Sequence, residues 1–133
     1  MEIDQVKFII PAAPRTKKNH SRIFRMKKTK AIRIMPSKQW ETFCENALVF
    51  LKLQITKAKI QPINFPVNCK AIFYRDRENG DAVGYYQGLA DVLEVAKVVE
   101  NDKWIVSWDG SKLQKDIKNP RVEIELTRLK KEL

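Results

Sequence analysis

The chain predicts an α+β fold: a two-layer domain with a mixed sheet and two main helices. Two long stretches carry apolar residues at helical spacing, and several short runs are apolar or alternating and end in turn residues. The two kinds interleave without a regular strand–helix–strand rhythm, which argues against a doubly wound parallel sheet. A length of 133 residues suits one core rather than two, so residues 1–133 are read as a single domain.

Val6–Ile10 reads as the first strand, closed by Pro11 and Pro14. The loop Pro14-Arg15-Thr16-Lys17-Lys18-Asn19 leads into two arms, Ser21–Met26 and Lys30–Ile34. These predict a basic hairpin within about 14–35, with Lys27-Lys28-Thr29 near its tip. Pro36-Ser37 opens a helix with Ser37 as N-cap, and Trp40, Phe43, Cys44, Ala47, Leu48, Leu51 and Ile55 form its core face. Pro62 and Pro66 turn the chain into a second strand, Val67–Tyr74, and Arg75–Gly80 is a polar loop. From Asp81 to about Lys97 the spacing is helical again, with a stripe of Ala82, Tyr85, Tyr86, Leu89, Leu93 and Ala96. Trp104–Trp108 reads as a third strand and Asp109-Gly110 as a turn. Asn119-Pro120 starts the last strand, where Val122, Ile124 and Leu126 alternate with Glu123 and Glu125. The C-terminal Lys130–Leu133 is expected to fray.

The composition narrows the function classes. No stretch approaches the roughly 20 apolar residues of a membrane helix, and the acidic start MEIDQ is unlike a signal peptide. A cytoplasmic protein without a membrane partner is expected. Cys44 and Cys69 lack metal-site or redox spacing and read as reduced core residues. With two cysteines and one histidine, His20, a zinc finger is implausible, and no phosphate-cradling glycine loop or nucleophile–histidine pattern is present. Trp104, Val106 and Trp108 share a strand face, expected to be core or interface rather than a base-stacking platform.

Charge is the strongest functional signal. The net charge of +10 lies entirely in residues 1–60, with 14 basic and 4 acidic side chains, whereas residues 61–133 carry 12 of each. Nine basic residues and no acid fall between Arg15 and Arg33. A run of one sign inside a domain points to a nucleic-acid contact, with Lys17, Lys18, Asn19, Arg22, Arg25, Lys27 and Lys28 as candidate DNA-binding residues.

Against this background Asp81, Asp91 and Asp102 stand out as carboxylates that a cation would stabilise, and Mg²⁺ over a phosphodiester would make such a site a nuclease. Asp81 begins the second helix and is also a natural N-cap. Asp81, Gly84, Gly88 and Asp91 share one helix face, and the two glycines leave a groove for helix packing or for a DNA backbone. Asp91 lies about 15 Å along the axis from Asp81, too far to share one Mg²⁺. Asp102 starts from the opposite end of that helix. Either the chain after Leu93 doubles back, or Asp102 meets Asp81 across a dimer interface.

Four segments together resemble the RusA family of Holliday junction resolvases. They are Pro14–Asn19, Pro36–Trp40, Gly80-Asp81 running through Leu89-Ala90-Asp91-Val92-Leu93, and Val99-Glu100-Asn101-Asp102-Lys103, in family order and with family-like gaps. The resemblance implies a homodimer that cleaves branched DNA, the four-way junction, by Mg²⁺-dependent paired nicks, with Mn²⁺ able to substitute. It makes Asp81 and Asp102 metal ligands, with help from Asp91 or Glu100, and Asp81, Asp91 and Asp102 catalytic. It also exposes departures: the family's second aspartate is Val83 here, and a lysine one turn on is Gln87. These departures open an alternative, a branched-DNA-binding protein with weakened or lost cleavage.

Overall fold

A computed structural model describes residues 4–17, 37–78 and 80–130, and the backbone of 22–25 and 32–35. The elements run β1 (Gln5–Ile10), β2 (Arg22–Arg25), β3 (Ile32–Met35), α1 (Lys38–Ala58), β4 (Val67–Arg75), α2 (Ala82–Val95), β5 (Ile105–Ser107), β6 (Lys112–Lys115) and β7 (Arg121–Arg128). The main sheet is mixed, in the order β1-β7-β4-β5, with β6 also on β4. β7 pairs antiparallel with both β1 and β4, while β5 and β6 run parallel to β4. With two helices on one face, this is the α+β arrangement expected.

Alternation decides which face of the sheet the helices cover. Phe8 and Ile10 of β1, Val122, Ile124 and Leu126 of β7, and Val67, Cys69, Ala71 and Phe73 of β4 all point inward and are buried. Trp40, Phe43, Ala47 and Leu51 of α1 and Tyr85, Leu89, Val92 and Leu93 of α2 cover them. On the open face Lys7 and Lys70 flank Glu125 in the strand register, with Lys7 Nζ 4.0 Å from Glu125 Oε2. The opposite charges in neighbouring strands suit a solvated face.

Ser37 caps α1 as its position predicts, its Oγ accepting from the Trp40 N–H at 3.1 Å. α1 ends at Lys59 in the left-handed region, with φ 55°. Gln54 reaches from α1 to the outer edge of β1. Its Oε1 accepts from Ile9 N–H at 2.9 Å and its Nε2 donates to Ile9 O at 2.8 Å. A side-chain amide thus occupies part of an edge that would otherwise offer paired donors and acceptors to another strand.

The β2–β3 ribbon forms a two-stranded sheet of its own, antiparallel, with Arg22 opposite Met35 and Arg25 opposite Ile32. The expected basic hairpin is therefore present, while its tip at Lys27-Lys28-Thr29 lies outside the described residues, as does the expected frayed end at 131–133.

Two differences from the sequence expectation concern the far edge of the sheet. β6 was not expected: Lys-Leu-Gln-Lys has no apolar alternation, and it is a strand only because Ile72–Arg75 of β4 offers it a pairing edge. The expected strand Trp104–Trp108 shrinks to β5, because Asn101 starts a 3-10 turn over Asp102–Trp104, its Oδ1 accepting from Lys103 N–H at 2.9 Å. Trp104 and Trp108 are then half-buried and Val106 is exposed, so these residues are not core within one chain.

Between β5 and β6 the chain leaves the edge of β4, and side chains fill the gap. Asn68 Oδ1 accepts from Ser107 Oγ at 2.6 Å and from Asp109 N–H at 2.8 Å, and Asn68 Nδ2 donates to Asp109 O at 3.1 Å. Ser111 Oγ accepts from Ala71 N–H at 2.9 Å and donates to Cys69 O at 3.0 Å. Gly110 makes the turn at φ 85°. Replacing Asn68 by Ala leaves three partners without it, and is expected to cost about 1–3 kcal/mol of unfolding free energy. A urea titration would read this as a lower midpoint at an unchanged slope; an unchanged midpoint would contradict it.

Candidate nucleic-acid and metal site

Asp81 is fixed first by local chemistry. Gly80, at φ 85°, turns the chain into the helix, and Asp81 Oδ1 accepts from Gly84 N–H at 2.8 Å. Asp81 is therefore the N-cap of α2, which leaves Oδ2 without a hydrogen-bond partner among the described residues. The cap orients one oxygen inward and keeps the carboxylate at the positive end of the helix dipole.

Asp102 reaches α2 within the same chain, because the segment after the helix doubles back. Lys97 adopts φ 64°, Val98 N–H donates to Leu93 O at 2.9 Å, and Ile63 is bridged on both sides by Val98 O and Glu100 N–H. Asp102 N–H then donates to Glu94 Oε1 at 2.9 Å, which pins the turn to the helix. The chain after the helix does double back, but it brings Asp102 to the Val83–Gln87 side of α2, in a hollow that Asp81 does not line.

An open hollow of about 340 Å³ results, lined by Val83, Tyr86, Gln87 and Ala90 of α2 together with Asp102, Ile105 and Trp108. Positions 83, 87 and 90 recur at helical spacing and so present one face. The Tyr86 and Trp108 rings stack at 5.0 Å and 8° and form one wall. Val83 is 69% exposed, a β-branched apolar side chain at the rim of an otherwise accessible site. Asp81 does not line this hollow.

Asp91 lies on another side of α2. It borders a smaller, largely apolar hollow with Lys17, Trp40, Cys44, Leu48, Val92 and Val95. Asp91 and Asp102 therefore face different hollows, and Asp91 is separated from Asp81 by three turns of helix, as its spacing predicts. Glu100 is exposed, and its backbone N–H serves the Ile63 bridge. Burial pushes the Cys44 thiol up to about 11 and raises Cys69 further, which disfavours the thiolate of both free cysteines.

The helix glycines are occupied from inside the protein. A Cβ on Gly84 would lie 2.9 Å from Asp81 Oδ1 and 3.5 Å from Thr16 Cγ2. One on Gly88 would lie 2.9 Å from Trp40 Cη2 and 3.0 Å from Cζ3. Of the two uses open to these glycines, close packing is the one observed, and the indole of α1 fills the space a DNA backbone would need at Gly88.

Of the candidate DNA-binding residues, Lys17 is exposed, Arg22 and Arg25 lie on β2, and Lys18, Asn19, Lys27 and Lys28 lie outside the described residues, as does His20. Arg15, part of the same basic run, is a structural residue. Its Nη1 and Nη2 donate to Asp76 Oδ1 and Oδ2 at 2.7 and 3.0 Å, and Nη1 also donates to Pro14 O at 2.9 Å. Nothing in the sequence joins residues 61 positions apart, so this clasp was not foreseen. The same holds for Thr16, buried against Gly84, and for Glu94, which holds Asp102.

The donor set for a divalent ion is thin. Among the described residues no three acidic, histidine or cysteine side chains come together. Asp102 is exposed, and Asp81 has one oxygen committed to its cap. Mg²⁺ can bind through one or two carboxylates when phosphate oxygens complete its shell, but Asp81 and Asp102 do not line one hollow here. The set does not suit an all-protein zinc or calcium cage.

Comparison with models of known protein families finds no match, and no curated protein matches the chain. No helix among the described residues is long and apolar enough to cross a membrane.

The Arg15 guanidinium beside Asp76 holds that carboxyl below its ordinary value of 3.8. A depressed folded-state pKa means the clasp's stabilisation is complete above the unfolded value and is lost as the pH falls through the folded one. Arg15→Gln is expected to lower stability at pH 7, and its deficit against wild type should shrink below about pH 4. Urea midpoints of both proteins from pH 7 to pH 3 would show this; a deficit constant across that range would contradict it.

Proposed function

We propose that the protein is a dimeric, structure-selective DNA endonuclease that resolves four-way junctions by paired nicks with Mg²⁺ or Mn²⁺, as the RusA family does. The observation that carries the reading is a convergence. Positions 83, 87 and 102, three of the five that the resemblance assigns to one site, line one hollow although the last is separated from the others by a chain reversal, while Asp81 and Asp91 lie outside it. A chance match of sequence segments gives no reason for that meeting.

Asp102, in the hollow, would hold the ion against a backbone phosphate, and Asp81 is assigned to the ion by the resemblance alone. When bound, the ion supplies Lewis acidity at the phosphate and lowers the pKa of the attacking water. Lys17, Lys18, Asn19, Arg22, Arg25, Lys27 and Lys28 would neutralise phosphates on either side and position the strand. Exposed Val83, with half-buried Ile105 and Trp108, gives the hollow an apolar rim. That rim favours a second copy of the chain, and two-fold symmetry would place two sites on two strands. Asp91 contributes through packing rather than as a ligand of the same ion.

Val83 and Gln87 favour a second reading. Where the resemblance implies a carboxylate and a lysine, the hollow offers an aliphatic and an amide group, which neither bind a cation strongly nor stabilise charge on a phosphate. On this reading the protein binds branched DNA and cleaves weakly or not at all.

Asp81→Asn is a clean test because Asn caps helices as well as Asp and removes only the charge. Asp81→Asn and Asp102→Asn are expected to abolish nicking of a four-way junction in Mg²⁺ while junction affinity stays within a few-fold of wild type. A double variant that still nicks would refute the site; a wild type that binds without nicking in either metal would establish the second reading.

The thin donor set predicts that protein and phosphate bind the ion together. The EPR signal of free Mn²⁺ should fall little with protein alone. It should fall beyond the junction-only control when both are present, and this excess should vanish in Asp102→Asn. Strong binding by the protein alone would contradict the ligand assignment.

A further inference from the structure

We propose that the hollow at Asp102 holds an unpaired nucleobase, stacked on Trp108 with its edge on the Gln87 amide. The inference rests on the nucleic-acid reading and names the part of branched DNA that this site takes.

The aromatic wall is built from the core outward. Tyr85 meets Phe73 at 5.4 Å between ring centroids, Phe73 meets Tyr86 at 5.8 Å, and Tyr86 stacks on Trp108 at 5.0 Å. Tyr85 and Phe73 are buried, whereas Tyr86 and Trp108 are half-buried and line the hollow. The backbone around Trp108 is also held. Ser107 Oγ and Asp109 N–H both donate to Asn68 Oδ1, at 2.6 and 2.8 Å, and Ser111 N–H donates to Trp108 O at 3.0 Å. An indole fixed in this way loses little further freedom when a ligand stacks on it.

The other walls suit a flat ring with a polar edge. Val83, Ala90 and Ile105 are aliphatic, while Gln87 and Asp102 are exposed polar residues. The Gln87 amide both donates and accepts, as the pairing edge of every base does. An apolar side chain seated in the hollow would cover that amide and the Asp102 carboxylate without satisfying either. A nucleobase satisfies the amide, stacks on the indole and leaves Asp102 to the ion. The volume of about 340 Å³ is at the lower end of small-ligand clefts. Val83 and Gln87, which stand where the resemblance implies an aspartate and a lysine, then serve as a wall and a hydrogen-bonding group.

This occupant gives the site a reason to prefer branched DNA. Drawing a base out of a paired stack is unfavourable, and least so where the base is already unpaired. A branch point interrupts stacking, whereas an intact duplex fills the hollow only at that cost.

The probe is a duplex with one unpaired 5-iodouracil, compared with the same duplex in which that base is paired. Near-ultraviolet light joins iodouracil to an aromatic side chain in contact with it, and mass spectrometry locates the bond. With wild type, the unpaired probe is expected to crosslink at Trp108 or Tyr86 and the paired probe is not. Wild type should also bind the unpaired probe more tightly. That preference should fall roughly tenfold in Trp108→Ala and stay near wild type in Trp108→Phe, which keeps a stacking face. Gln87→Leu, an exchange at an exposed position, should lower it a few-fold and does not depend on Trp108→Ala folding.

Crosslinks that map away from the hollow would overturn the proposal, as would equal affinity of wild type for both probes. A changed sedimentation coefficient in Trp108→Ala or Gln87→Leu with the preference intact would also overturn it, assigning the hollow to a contact between copies. Wild type that binds neither probe would refute the nucleic-acid reading itself, and this proposal with it.

Discussion

Where α1 meets α2, the Trp40 indole occupies the space that a Cβ on residue 88 would need, so the helices reach this packing only because residue 88 is glycine. Much follows from that contact. Trp40 is the residue whose N–H the Ser37 cap receives, so the start of α1 and its packing are set together. With α1 in place, Phe43, Ala47 and Leu51 are buried in the core, α1 packs on β1, and Gln54 reaches the outer edge of β1. With α2 in place, Tyr85, Leu89 and Leu93 close over β4, the Phe73 ring tilting against Tyr85 at 5.4 Å. One close approach thus couples the helical layer, the sheet edge and the root of the basic ribbon.

The second constraint is the chain reversal after α2. A left-handed residue at Lys97 and the bridge to Ile63 send the chain back along the helix it has just left, and Glu94 receives the returning Asp102. The reversal decides what the carboxylates can do. It brings Asp102 to the Val83–Gln87 face without a partner chain, while leaving Asp91 to a different hollow. The acids therefore form no compact cluster. On the proposed reading, an ion at this site would draw part of its coordination from a phosphate, which would tie metal binding to substrate binding.

Much of this was legible in the sequence, for physical reasons that also explain the rest. The caps at Ser37 and Asp81, the core faces of both helices and the alternation in β4 and β7 follow from local rules of spacing and hydrogen bonding. The angular relation of Asp81 to Asp91 follows from helix geometry alone. β6 was invisible because its residues carry no pattern of their own and pair only on one edge. The Arg15–Asp76 clasp was invisible because it joins distant segments, and Arg15 looked like one more member of a basic run. The glycines were recognisable as a groove, but whether protein or DNA fills it depended on Trp40 arriving from another helix. The route of Asp102 was likewise beyond local rules, since it depends on the bridge at Ile63.

We propose a chain that acts on branched DNA through a basic ribbon and a sparse carboxylate site. The most direct measurement is a competition in which labelled four-way junction, linear duplex and structured RNA of equal length are offered together to the wild-type protein at physiological salt with Mg²⁺. Preferential binding of the junction and symmetric nicks in its opposing strands are expected. Equal binding to all three, or preference for the RNA, would show a general polyanion or RNA surface and contradict it.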